Sequence, residues 1–173
     1  MTDQDEFYVD SPDTFPSKED FEGRLVAIWP TGKVGTREGQ QGAYGWVETV
    51  TMALDDGPDG TAGTGTRSDG EEYLVGPAPE VVEDFQWSAT GIYSRVKSRI
   101  GKKLDDGSGD FRPVIGRIHK RKSTQKGKAD PWGLAKPTDA DREIINRRAD
   151  DIKAQMAKMR AKAEEAVNAD AFA

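Results

Sequence analysis

The feature that most limits the fold is a single helical stripe set among strand-like runs. In "SATGIYSRVKSRIGKKL", residues 88–104, Ile92, Val96, Ile100 and Leu104 recur every four residues, the spacing of one helix face. Ser88 or Thr90 can cap its start, and "DDGSGD" ends it. Before it, "FEGRLVAIW", Phe21 to Trp29, reads as a strand stopped by Pro30 and Gly32. "TGKVGTREGQQG" follows as a Gly-rich loop. "YGWVETVTMAL", Tyr44 to Leu54, is the clearest strand: Trp46, Val50, Met52 and Leu54 fall on one face, Thr49 and Thr51 on the other. "EYLVG" and "VVEDFQWSA" supply one or two more strands around "PAPE". After the helix, "FRPVIGRIHKRK" reads as a strand. "PWGLAKP" reads as a short last strand, which Pro131 and Pro137 confine to an edge.

This order predicts a mainly β, α+β chain: a five-stranded antiparallel sheet with a helix between strands 3 and 4. That is the layout of the OB-fold barrel, which binds oligonucleotides across strands two and three and through its loops. Any α+β domain with one inserted helix shares the order. The predicted barrel occupies residues 21–137. Residues 1–20 are acidic and without period, the composition of a disordered tail. Residues 55–72 have that of a flexible loop.

Residues 138–173 form a separate element. Thr138 with Asp141 three positions later matches a capping box. From Ile145 the apolar or small positions run 145, 149, 152, 156, 159 and 163, a heptad spacing. A long C-terminal helix over about 139–167 that drives self-association is the expectation, and a homo-oligomer with it.

The residue inventory argues against catalysis. At 173 residues the chain holds one domain with appendages, or at most two very small ones. With one His and no Cys, it lacks the material for Ser-His or Cys-His nucleophiles and for His or thiolate zinc sites. No phosphate-binding Gly-rich motif occurs in a strand-to-helix setting. "DDGPDG" begins like a calcium loop, but Gly57 stands at the third position and Thr66 at the twelfth, where a Glu is needed. A non-enzyme without metal or cofactor is expected. No apolar run reaches the length of a membrane span and no signal-peptide pattern opens the chain, so a cytoplasmic location is expected.

The formal charge of −6 conceals a division. Residues 1–20 carry seven acids against Lys18, and residues 55–84 carry nine against Arg67. Residues 92–128 carry twelve Lys/Arg against three Asp. A cationic stretch with aromatics nearby is the composition of a single-strand nucleic-acid binder, in which Lys and Arg track phosphates and aromatic faces stack on bases. The cationic candidates are Lys33, Arg37, Arg95, Arg99, Lys102, Lys103, Arg112, Arg117, His119, Lys120, Arg121, Lys122, Lys126 and Lys128. Trp29, Tyr44, Trp46, Trp87, Tyr93 and Trp132 are the aromatic ones. Trp46, in phase with Val50 and Leu54, is expected in the core. Trp29 and Trp132, each beside a proline and a Gly-rich or basic loop, are expected at the surface, and with Trp87 they complete the candidate site. A strand edge guarded by charge against aggregation would also produce the basic run.

"FEGRLVAIWPTGKVGT", the strand pair after it, and "VIGRIHKRKSTQKGKADPWGLAKPTDADREI" together resemble the small OB-fold single-stranded DNA-binding proteins of actinobacterial phages. The resemblance covers about residues 21–145 as an order of elements. It implies a protein of replication or recombination that coats single-stranded DNA without strict sequence preference, usually as an oligomer, in the host cytoplasm if phage-encoded. Arg117, Lys120, Lys122 and Trp132 would then lie on the binding side, with replication or recombination proteins as further partners. Bacterial single-strand binders end in a strongly acidic, aromatic-tipped tail, of which "EEAVNADAFA" is a faint echo. Two rivals follow from the residues: a structural or assembly adaptor acting through its heptad helix, and, more remotely, a metal-dependent nuclease using acidic side chains.

Overall fold

The computed structural model describes residues 15–40, 42–124 and 131–171. A 3-10 turn, Lys18–Phe21, leads into β1 (Leu25–Gly39), β2 (Gly42–Ala53) and β3 (Glu80–Trp87). Helix α1 (Thr90–Lys97) follows, then β4 (Val114–Lys120), β5 (Trp132–Ala135), α2 (Asp139–Arg147) and α3 (Ala149–Ala171). The five strands make one antiparallel sheet in the order β3-β2-β1-β4-β5. No helix among the described residues is long and apolar enough to cross a membrane.

Side-chain alternation gives the sheet two apolar faces, and each is covered. On one face Val26, Ile28, Val47, Phe85 and Trp87 pack with Ile92 and Val96 of α1 and with Trp132 and Leu134 of β5. Residues of both outer strands, β3 and β5, thus meet in one core. On the opposite face Leu25, Ala27, Trp29, Val50, Met52 and Leu54 lie under Ile152 and Met156 of α3, with Ile144, Ile145 and Met159 at the margin. The heptad stripe therefore packs on the chain's own sheet. A sheet with two apolar faces needs two covers, and α1 supplies only one, so part of the stripe expected for self-association serves as the second. A break at Arg148 separates α2 from α3. There the Arg148 guanidinium donates to the Leu54 carbonyl at 3.1 Å and ties the junction to the end of β2.

Three local expectations change. Strand β1 does not stop at Pro30 but runs on to Gly39, so most of the expected Gly-rich loop is a two-stranded arm with β2. Pro30 is tolerated because the ladder shifts register between Pro30 and Val34, where a missing N–H costs little. The helix expected over 92–104 ends at Lys97. The segment beyond it folds across to the other face, where Leu104 and Phe111 pack.

The acidic loop after β2 is pinned by a buried cation. Arg24, fully buried, donates to the carbonyls of Asp55, Val75 and Gly76 at 3.0, 3.1 and 2.8 Å and pairs with Asp56 at 3.2 Å. Of the tail expected over 1–20, residues 1–14 lie outside the described residues, and Lys18–Asp20 belong to the 3-10 turn. Asp20 and Phe21 are fully buried, and Asp20 accepts from Ser17, Leu74 and Arg67 at 2.9, 2.6 and 2.9 Å.

Candidate nucleic-acid interface

The β1–β2 arm presents aromatics through alternation. Tyr44 and Trp46, two apart on β2, share a face; opposite them in register stand Arg37 and Gly35. Gly35 is needed here, since a Cβ at that position would come within 2.4 Å of the Trp46 ring. The Arg37 guanidinium lies over the Trp46 ring, 5.5 Å from its centroid, and donates to Gln86 Oε1. Tyr44 is 40% exposed and Trp46 half-buried. Tyr93 of α1 fills the gap left by Gly45, with the Lys97 ammonium 5.4 Å from its ring centroid.

Two clefts adjoin this arm. The wider, about 580 Å³, is lined by Phe15, Lys18, Arg37 and residues 84–88, with Glu19 and Asp84 among them. The narrower, about 360 Å³, lies between Lys18, Tyr44, Trp132 and the start of α1, residues 88–91. Trp132 is its wall, with Lys18 Nζ 5.5 Å and Lys120 Nζ 5.7 Å from its ring centroid. Ammonium groups at this distance from an indole are held by the ring quadrupole. The N-cap of α1 is Ala89, which brings no side-chain acceptor, so the field of the helix start adds to that of the lysines.

Among the expected aromatics, Trp29 and Trp87 are core residues, 0% and 1% exposed, so neither offers a face to a base. Trp29 lies under α3, and Trp87 donates to Thr51 Oγ1 at 3.0 Å. Trp132 is 9% exposed and shows only its cleft edge. Trp46, expected in the core, is half-exposed instead. Its phase with Val50 is right, but that face leaves the core once the arm passes beyond β3.

The basic residues divide. Arg37 lines the wider cleft, Lys120 lies at the Trp132 ring, and exposed Arg121 and Lys122 follow directly on Lys120. Lys33 is exposed at the root of the arm. Arg117 is structural: it donates to the Gly23 carbonyl at 2.8 Å and bridges Asp55 and Asp141 at 2.9 and 2.5 Å. Burial opposes its charge, and the bonds to Asp141 and Asp55 more than offset that, leaving its pKa above the usual value. Arg95 donates to the Leu134 carbonyl at 2.5 Å, fastening α1 to β5. Lys102, Lys103 and Arg112 belong to the segment that crosses to the α3 side. There Lys103 sits 5.6 Å from the Phe111 ring centroid and Arg112 pairs with Asp105 at 3.0 Å. Arg99 is exposed just past α1. Lys126 and Lys128 lie outside the described residues.

His119 is half-buried against Gly133, where a Cβ would come within 2.6 Å of its ring. Burial, and then the charge of Arg121, push its pKa below the ordinary value, so at neutral pH it is a neutral ring and not a phosphate-binding cation. Lys18 is not among the expected site residues, because it falls in the stretch whose composition predicts a tail. Ser17 and Asp20 three apart, in "SKED", were the signal that a capped turn starts there.

No protein-family model matches this chain, and neither a curated protein nor a solved structure matches it.

Proposed function

We propose that this chain is a non-enzymatic binder of single-stranded DNA built on the OB plan. The order β3-β2-β1-β4-β5, one helix between β3 and β4, and outer strands that share a core all agree with that plan. The observation that carries the functional reading is the alternation of aromatic and cationic groups along one surface. Arg37 lies on Trp46, Lys97 on Tyr93, and Lys18 and Lys120 on Trp132, beside exposed Tyr44. Aromatic faces accept any base, so such a surface binds strands with little sequence preference. Ammonium and guanidinium groups beside them neutralise phosphates. This suits a protein that coats DNA during replication or recombination in the cytoplasm, where it would meet the other proteins of those processes.

The adaptor reading has less support, because Ile145, Ile152, Met156 and Met159 face the chain's own sheet. Self-association through that stripe is accordingly no part of the proposal.

The test is anisotropy of a labelled oligo-dT titrated with protein over a salt series. Sub-micromolar affinity at about 50 mM salt, falling steeply as salt rises, is expected for a surface with several phosphate contacts. Tyr44→Ala and Trp46→Ala should each weaken binding by about 1–3 kcal/mol, the range for loss of one stacked base. No binding at the lowest salt would end the proposal.

A further inference from the structure

We infer that the N-terminal turn is part of the binding surface: Lys18, which lines the narrower cleft, and Lys120, at the same indole, each hold a backbone phosphate of the strand beside Trp132. This rests on the single-strand reading above and assigns one part of that surface. Lys18 stands on a fixed base. Its turn is closed by the Ser17–Asp20 capping box, and the Asp20 carboxylate is held by Arg67 and by the Leu74 amide. The two ammonium groups come from distant parts of the chain, one before β1 and one at the end of β4, and meet at the same indole. Each ammonium group is held at the rim of that ring, where it can take one phosphate of a strand passing the indole.

The surroundings select the anion's place. The wider cleft contains Glu19 and Asp84, whereas the described residues lining the narrower one include no carboxylate. Among the described residues Lys120 makes no ion pair. The pair that Lys18 makes with Glu19, 3.7 Å, is between side chains 41% and 27% exposed, where such pairs contribute little. Both ammonium groups are therefore available to a ligand. Tyr44 lines the same cleft, so a nucleotide whose phosphate lies at the lysines can bring a base against an exposed ring. A strand, with phosphate and base linked, fits this cleft better than a free phosphate.

The full-length chain, its Lys18→Ala, Lys120→Ala and Lys18→Arg variants, and a Lys162→Ala control on exposed α3 are titrated with labelled oligo-dT from about 50 to 300 mM salt. Lys18→Ala and Lys120→Ala should each lower the slope of log affinity against log salt by about 0.7, the value for one phosphate contact on a single strand. Lys18→Arg should keep the wild-type slope, and so should Lys162→Ala. Millimolar inorganic phosphate at matched ionic strength should leave binding unchanged. A wild-type slope in Lys18→Ala, with wild-type binding intact, overturns this assignment and leaves the single-strand reading standing. Displacement by inorganic phosphate at matched ionic strength overturns the assignment to a strand. Absence of binding by the wild type removes both.

Discussion

Ile152→Ala tests where the C-terminal helix belongs. Ile152 is 6% exposed and belongs to the apolar cluster that includes Leu25, Ala27, Trp29 and Met52 on the sheet face under α3. Removing its outer carbons from such a site costs about 2–5 kcal/mol, from lost transfer energy plus the cavity left behind. Among the described residues of α3 only Ile152 and Met156 are buried hydrophobics, so the helix can settle partly into the gap, which favours the lower half of that range. About 3 kcal/mol corresponds to more than a hundredfold in the folding equilibrium. It shifts the urea midpoint by about 1.5 M if m is near 2 kcal/mol/M, and Tm by about 6–12 °C for a domain of this size. The assay is urea unfolding followed by Trp emission, with light scattering on the same samples. Val167→Ala, at a position 68% exposed, should stay within about 0.5 kcal/mol of wild type. An unchanged midpoint together with a fall in molecular mass would refute the packing argument, since the stripe would then be buried between chains.

Gly35→Ala should push the Trp46 ring off the arm, because its Cβ would lie 2.4 Å from that ring; oligo-dT affinity should fall about fivefold or more, roughly the low end of one stacked base, while the urea midpoint barely moves. Asp141 gives a pH signature. Burial would raise its carboxyl, but bonds from Arg117 and from the Thr138 amide overcome that and hold its pKa below the ordinary value. Its stabilising contribution is therefore complete above the unfolded value of about 3.9 and is lost as pH falls through the lower folded value. Asp141→Asn should be less stable than wild type at pH 7, and the gap should narrow as acid is added; a constant gap in urea midpoints from pH 7 to pH 3 would contradict the pairing.

Periodicity made the strand order and the inserted helix legible, because each element buries a face whose spacing is written in the chain. Trp46 shows where that signal stops. Its phase with Val50 is as expected, yet burial depends on whether a neighbouring strand extends that far, and β3 pairs with β2 only from Val47 onward. Trp29 fails for the opposite reason. Beside Pro30 it looked like the end of a strand, but β1 continues through an irregularity and α3 closes over it. The ordering of the acidic loop was illegible because its organiser, Arg24, lies thirty residues upstream and reads as one charge in a strand.

The charge map becomes intelligible once Arg and Lys are separated. Among the described residues the ion pairs are made by arginines, apart from the exposed Lys18–Glu19 contact. Arg24, Arg67, Arg117 and Arg160 each fasten one segment to another through carboxylates, and Arg148 does so through carbonyls. A planar guanidinium with five donors suits such partly buried junctions, where a strongly hydrated ammonium does not. Part of the acidity, at Asp20, Asp55, Asp56, Asp110 and Asp141, is therefore paired within the fold. Lysines 18, 97 and 120 make contact with aromatic rings at the surface instead. The two cations thus answer to different demands: these arginines and their carboxylates complete the folding network, and these lysines rest against aromatic rings.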